Sequence, residues 1–491
     1  MAAQLDGRAP ARLDGRSNRV IWLLLAAAFV VILNETIMGV AIPHLVGDLQ
    51  VPVELAQWLT TVFMLTMAVV IPITGWLLER LETRPAFILA MSFFSAGTLL
   101  AAVAPGFAVL LVARVTQASG TAIMMPLLMT TVMQLVPAHE LGRIMGRTST
   151  VISVAPAIGP TISGLVLNYL SWRWMFLIVL PIAVVMLVIG IVSVENVSPP
   201  AAAPLDALSV PLAALGFGGL VFGLAQIGGA TDAGAAAAST TRVMVVALGV
   251  GTLALVAFVL RQRRLGRRER ALLDLRPFSV RNFSVSVLVL VIMTIALFGT
   301  IIVLPIYMQT VLGFDSLLSG LLLLPGGLVM GLFAPAVGRM YDRRGPTVLL
   351  VPGAVVVSAV LWFLALFATE HTSVWVVLAA HIVLSFGLAL MFTPLFTAAL
   401  GSVTEQFYSH ASAIVGTVQQ LAGAIGTAVF VTVLAAVTAS VLSGGGASQP
   451  AQASGVRAAF LIGAVVSLGA IAGAFFVRRP PERESAARGA H

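Results

Sequence analysis

The chain has 491 residues, of which 59% are hydrophobic and only 9% charged, and its mean hydropathy is +1.06. An ordinary soluble domain carries roughly 25% charged residues, so a soluble fold is excluded for most of the chain. The formal charge of +8 comes without a polar domain to carry a basic face, which argues against nucleic acid as a partner. The absence of cysteine removes disulfides, thiolate metal sites and cysteine nucleophiles.

Residues 1–19 carry Arg8, Arg12, Arg16 and Arg19 ahead of an apolar run long enough to cross a bilayer. This start reads as a signal-anchor, not a cleaved leader. Apolar stretches of about 20 residues then recur to Val477. They predict fourteen membrane spans, beginning near Val20, Trp58, Ala86, Phe107, Arg147, Trp174, Leu208, Val243, Phe283, Leu317, Pro346, Val374, Ala411 and Ala458. The fold class is thus an all-α polytopic membrane protein.

All 27 basic residues are arginines. With both termini cytoplasmic, 23 of them fall on the inner side and only Arg173, Arg242 and Arg457 on the outer, while Arg114 lies inside a span. This asymmetry is the positive-inside pattern, and it predicts cytoplasmic N- and C-termini in the cell membrane.

Two punctuations divide the chain, the proline-rich 197–204 and the arginine-rich Arg261–Arg270. The predicted organisation is a cytoplasmic tail 1–19, a six-helix bundle 20–196, and a linker 197–270 with two extra helices and a basic cytoplasmic loop. A second six-helix bundle 271–477 and a tail 478–491 follow. The two linker helices, rich in Ala, Gly, Val and Leu, read as passive spacers. The arginine-rich loop reads as solvated at the anionic leaflet, with a regulatory lipid or protein site as the alternative.

Similar loops follow the second span of each half: Gly75-Trp-Leu-Leu-Glu79-Arg80-Leu-Glu82-Thr-Arg84 and Gly338-Arg-Met-Tyr-Asp342-Arg343-Arg344-Gly345. Repetition at equivalent places implies two similar bundles related by an axis along the membrane normal. The two loops resemble the Gly-x-x-x-Asp-Arg-x-Gly-Arg-Arg signature of the major facilitator superfamily, with Glu82 where the first copy would have Gly.

Three further segments carry the resemblance. Arg114-Val-Thr-Gln117-Ala-Ser-Gly120 in the fourth span is similar to the family's Arg-x-x-Gln-Gly-x-Gly. Ala155-Pro156-Ala-Ile-Gly159-Pro160-Thr-Ile-Ser163-Gly164 in the fifth resembles its antiporter signature. Leu33-Asn34-Glu35-Thr36-Ile37-Met-Gly-Val-Ala-Ile-Pro43 in the first resembles the pattern of the 14-span drug:proton antiporters of the EmrB and QacA branch, with Asn34 at the place of the usual acid. The resemblance implies an alternating-access exporter driven by protons.

The residues themselves support this chemistry. Glu35 lies sixteen residues into the first span. Hydrocarbon penalises its charged form, so it is a candidate to exchange protons; the alternative is a permanent partner for a cation. Adjacent helical positions point about 100° apart, so Glu35 does not simply inherit the place now held by Asn34.

Arg114 is the one deeply placed cation and requires a partner or water. The resemblance implies a part in proton coupling, with structural pairing as the alternative. Pro156, Gly159, Pro160 and Gly164 remove backbone donors or bulk at helical spacing, which suits a hinge or plain close packing. Gly75, Glu79, Arg80, Arg84, Gly338, Asp342, Arg343, Arg344 and Gly345 are candidate cytoplasmic gate loops, or else topogenic loops. Asn34, Gln117, Gln309, His381 and Gln420 are candidate cavity residues, with hydrogen bonding between helices as the commoner use for such groups.

No Gly-x-x-x-x-Gly-Lys loop is present in a chain without lysine, and no metal-spaced cluster or nucleophile elbow appears. The expectation is a monomeric, non-enzymatic exporter of small, largely apolar or lipophilic cationic compounds, as in multidrug efflux. It would need no cofactor or ATP, only the proton gradient. Export of an endogenous metabolite or lipid, proton-coupled import, and a non-transporting sensor or scaffold are the rival readings.

Overall fold

The computed structural model describes residues 14–197, 204–227 and 235–480. The predicted proline-rich joint, apart from its ends, and Arg8, Arg12, Arg483 and Arg488 of the tails lie outside these residues. Among the described residues the structure is all-helical. In hydrocarbon no water can satisfy a peptide group, so each span closes its hydrogen bonds within one helix. Threonine hydroxyls are absorbed the same way, as where Thr98 and Thr121 donate to the carbonyls of Phe94 and Gln117 one turn earlier.

The first six helices are α1 (Gly15–Leu49), α2 (Val53–Arg80), α3 (Thr83–Ala102), α4 (Phe107–Leu135), α5 (Leu141–Tyr169) and α6 (Arg173–Ser193). The short pair α7 (Ser209–Ala213) and α8 (Gly219–Ala225) and the long α9 (Ala235–Gly266) follow. The last six are α10 (Arg281–Ile306), α11 (Ser316–Arg344), α12 (Thr347–Phe367), α13 (Val374–Gly401), α14 (Tyr408–Ser443) and α15 (Ser448–Ala474).

Thirteen helices among the described residues are long and apolar enough to cross a membrane. The seventh of the fourteen expected spans differs. It is a shorter helix, Ser209–Ala225, broken by a π-helical turn at Ala214–Gly218. Glycines 216, 219 and 223 in that stretch let α9 approach closely: a Cβ on Gly219 would lie 3.0 Å from Gly251. Residues without side chains favour such packing over a regular helical face.

Within the first half α3 packs on α4 and α6, α1 on α5, and α2 on α4; in the second half α12 packs on α13 and α15, and α10 on α14. Between the halves, the second helix of each lies against the fifth of the other, α2 on α14 and α11 on α5. The fourth helices, α4 and α13, carry the longest buried stretches. The linker hairpin lies along the α2/α14 seam, touching both halves, with Trp58 and Phe222 5.6 Å apart.

The α5/α11 crossing is zipped at the arginine-rich end. A Cβ on Gly338 would fall 1.9 Å from the Gly142 carbonyl oxygen, and one on Gly146 would lie 2.5 Å from that of Ala334. Thr150 donates to the Gly331 carbonyl at 2.8 Å, and Gly327 faces Ala157. One turn further along, Thr161 is exposed, and neither Gly164 nor Gly320 has a neighbour within 4 Å of its Cβ position. At this crossing α5 and α11 are therefore closed at the arginine-rich end and apart at the other.

Candidate functional site: a buried arginine beside an intramembrane carboxylate

Arg114 is fully buried on α4, and two of its three guanidinium nitrogens are held by fixed partners. Nε donates to the Leu59 carbonyl of α2 at 3.3 Å, Nη1 donates to Gln117 Oε1 at 3.0 Å, and the guanidinium carbon sits 4.2 Å from the centre of the Phe63 ring. Gln117 passes the chain on, its amide donating to Thr98 Oγ1 of α3 at 3.0 Å. Gln117 is thus part of the arginine's cradle. Nη2 of Arg114 is buried and has no hydrogen-bond partner among the described residues.

Glu35 is half-buried on α1 and close enough to Arg114 for the two charges to act on each other across the gap, without a hydrogen bond between them among the described residues. Asn34, one position earlier, is fully buried, and neither its amide nitrogen nor its oxygen has a partner among the described residues. An amide left unsatisfied in a buried setting costs roughly 1–3 kcal/mol, so its polar atoms mark a place where water or a ligand group would be held.

The antiporter-like segment of α5 grips α1 at the two residues after Glu35. A Cβ on Gly159 would lie 2.1 Å from Thr36 Oγ1, and Ser163 Oγ donates to the Ile37 carbonyl at 2.9 Å. Pro156 and Pro160 lie inside α5 on this stretch. The same helix makes the closed crossing with α11 through Gly142 and Gly146. One element therefore joins the carboxylate site to the closed end.

At that end the acids of the two repeated loops cross between the halves. Asp342, at the foot of α11, accepts the N–H groups of Gly142 and Arg143 at 2.7 and 2.8 Å, capping the first turn of α5. Glu79 Oε1 of α2 lies 2.9 Å from His410 Nε2 of α14. Gly75 makes room for that histidine, Gly345 ends α11 at φ 78°, and Arg80 stacks over Trp76. Arg84, Arg343 and Arg344 are exposed. The first copy turns without positive φ, since Leu81 and Glu82 are both extended. Glu82 instead accepts a hydrogen bond from Asn196, whose Oδ1 accepts the Arg84 N–H at 3.1 Å.

The remaining candidates are scattered. His381 of α13 donates from Nε2 to the Leu323 carbonyl of α11 at 3.0 Å, which makes it a tie between helices. Gln309 is exposed in a π-helical turn, Tyr307–Val311, and Gln420 is half-buried on α14. His410, Phe63 and Thr98 were not singled out from sequence. His410 carried a weak signal as one of only six histidines, placed near the inner start of a span.

A helical bundle with thirteen membrane-capable helices among the described residues and two interlocked halves is a multi-pass membrane protein, and the relatives it resembles are transporters. The chain belongs to the Major Facilitator Superfamily, whose model matches residues 24–427. It is 38% identical over 472 residues to the uncharacterised MFS-type transporter YcnB of Bacillus subtilis (strain 168), covering 96% of this chain and 97% of that one. It is 37% identical over 464 residues to the lincomycin resistance protein LmrB of the same organism, covering 93% and 95%. Among solved structures, the proton:xylose symporter XylE aligns with a TM-score of 0.62 over 96% of this chain and 98% of that chain at 14% identity, a likeness of fold.

Proposed function

We propose that the protein is a proton-coupled antiporter that exports small, largely apolar or lipophilic cationic compounds across the cytoplasmic membrane, with both termini cytoplasmic. The observation that carries this reading is the double engagement of α5, which grips α1 at Thr36 and Ile37 beside Glu35 and also forms the closed crossing at Gly142 and Gly146. A relative named for lincomycin resistance supports an antibiotic-sized cargo.

In the conformation described, the arginine-rich end faces the cytoplasm and is shut, so Glu35 takes its proton from the exterior. A neutral Glu35 no longer attracts Arg114. The α1/α5 contact then relaxes at the proline pair, the α5/α11 glycine crossing parts, and the cavity opens inward. Cargo entering from the cytoplasm expels the proton by favouring the charged pair, and the halves rock back. The pH gradient makes the cycle directional, with no ATP step.

The test is uptake into inside-out proteoliposomes under an inwardly acid gradient, with lincomycin and a lipophilic cationic dye as probes. Accumulation that collapses with a protonophore is expected. Gradient-independent equilibration would refute proton coupling, and no flux of either probe would move the cargo to an endogenous metabolite or lipid.

A further inference from the structure

The connection between α9 and α10 looks like a polar loop in the sequence, yet its centre is buried. Ala271, Leu272, Leu273 and Asp274 lie beneath the closed end with at most 8% exposure. Gln262, fully buried near the end of α9, holds them there. Its Oε1 accepts the N–H groups of Leu272 and Leu273 at 2.8 and 3.2 Å, and its amide donates to Ser209 Oγ at 2.6 Å. Leu273 then packs on Gly75 of α2, and the Asp274 N–H donates to His410 Nδ1 of α14 at 3.2 Å.

This arrangement fixes the chemistry of the ring. Nδ1 receives a backbone N–H and must keep its lone pair. Nε2 faces the Glu79 carboxylate and so carries the ring's single proton. Seated in this way, His410 is neutral. One lone pair cannot serve both the Asp274 N–H and a second proton, so the two are mutually exclusive by structure.

We propose that His410 Nδ1 is a second proton-binding site of this transporter, separate from Glu35, for which cytoplasmic protons and the 271–276 wedge of the linker compete. Binding of either one weakens the other by the same factor. Acid on the cytoplasmic side unseats the wedge, while the protonated ring still bonds Glu79 through Nε2. The wedge is thus withdrawn before the α2/α14 contact parts.

The charged groups around the ring fit this exchange. Glu79 faces it from α2 and retains a partner in either state. From the linker, Asp274 is neutralised by Arg276, which holds it through Nε at 2.7 Å, stacks over Phe407 and lies 3.9 Å from Glu269. On its own segment Glu405 precedes the helix, and α4 presents the Thr130 hydroxyl to Ser412. A proton arriving on the ring therefore meets the Glu79 carboxylate, while Arg276 of the linker is already engaged by Asp274.

The chain contains no cysteine, so an introduced pair reports without background. Spin labels at Glu195→Cys and Arg270→Cys, both exposed, read the distance from the wedge to the first half in the full-length protein in nanodiscs. The measurement is made in a Glu35→Gln background, so that it stands whether or not Glu35 is the coupling acid. At pH 8 a single short distance is expected, with a second, longer population growing as the pH falls to 5.5. Adding His410→Gln, which keeps a donor for Glu79 but cannot titrate, is expected to abolish that growth. A pH response that survives His410→Gln, or none in the Glu35→Gln background, would overturn the proposal. Independently, 15N-histidine spectra of the unlabelled wild type, assigned by difference from His410→Gln, are expected to show the neutral Nε2–H tautomer at pH 8. An Nδ1–H tautomer would contradict it.

Discussion

Arg114 is held by geometry as much as by charge. Its Nε and Nη1 reach different helices at a fixed angle while the plane lies over Phe63, and lysine cannot reproduce that fork. Arg114→Lys is therefore expected to leave the protein folded but to lower gradient-driven export about tenfold or more, the loss of one charge-assisted hydrogen bond being worth roughly 1.5–3 kcal/mol. Export indistinguishable from wild type would show that the positive charge alone suffices. Glu35 and Arg114 were legible in the sequence because an ionisable side chain in an apolar run stands out whatever its partners. His410 was not, because both its partners lie more than a hundred residues away, the nearer 136 positions off, and only the folded chain brings Glu79 and Asp274 to its two nitrogens. The assignment of Gln117 to a cavity came from its polarity alone; the structure places it against Arg114 and Thr98, an outcome that spacing on one helix could not reveal.

The helices carry constraints of their own. At the α5/α11 crossing the Gly338 backbone has no room for a methyl group, since the obstacle is the Gly142 carbonyl and not a movable side chain. Overpacking of this kind costs typically 1–3 kcal/mol, and here the cost falls only on the closed end. Gly338→Ala is expected to shift the population toward the inward-open state about tenfold or more, which increased alkylation of a cysteine placed at the inner end of α5 would report. Gly345 ends α11 at φ 78° and ψ −178°, a region essentially reserved for glycine, and Gly345→Ala is expected to destabilise the fold by about 1–3 kcal/mol in thermal unfolding.

The linker hairpin is anchored outside the membrane by Asp206, whose carboxyl is pulled down to about 2 chiefly by the hydrogen bonds from Arg261. A depressed folded-state value means that this stabilisation is complete above about pH 4 and is lost as the pH falls toward 2. Asp206→Asn is accordingly expected to flatten the pH dependence of thermal stability between pH 4 and 2, with the wild type losing more over that interval. Most helix starts were readable from hydropathy to within a few residues, including the seventh span, whereas α5, α9 and α15 begin well before the predicted Arg147, Val243 and Ala458. The shortness of the seventh span was not readable, because hydropathy counts apolar residues whether or not a π-helical turn interrupts them.

At the scale of the molecule, the repeated loops pointed to two similar halves, and the folded chain pairs second and fifth helices reciprocally. The extra hairpin, bland in composition, packs against both halves. Composition says nothing about where a helix docks, and this one lies on the seam that parts in the proposed cycle. The proposed cycle ties three things to one motion: the carboxylate on α1, the glycine crossing of α5 with α11, and the wedge beneath α2 and α14. The central claim is that cargo and proton exclude each other through Glu35. The most direct test is to add lincomycin to purified, weakly buffered protein at a pH where the carboxyl is protonated and to follow proton release with a pH-sensitive dye. Wild type is expected to release protons in proportion to bound cargo, and Glu35→Gln to bind cargo without release. Equal release from both would contradict the account and move the coupling proton to another residue.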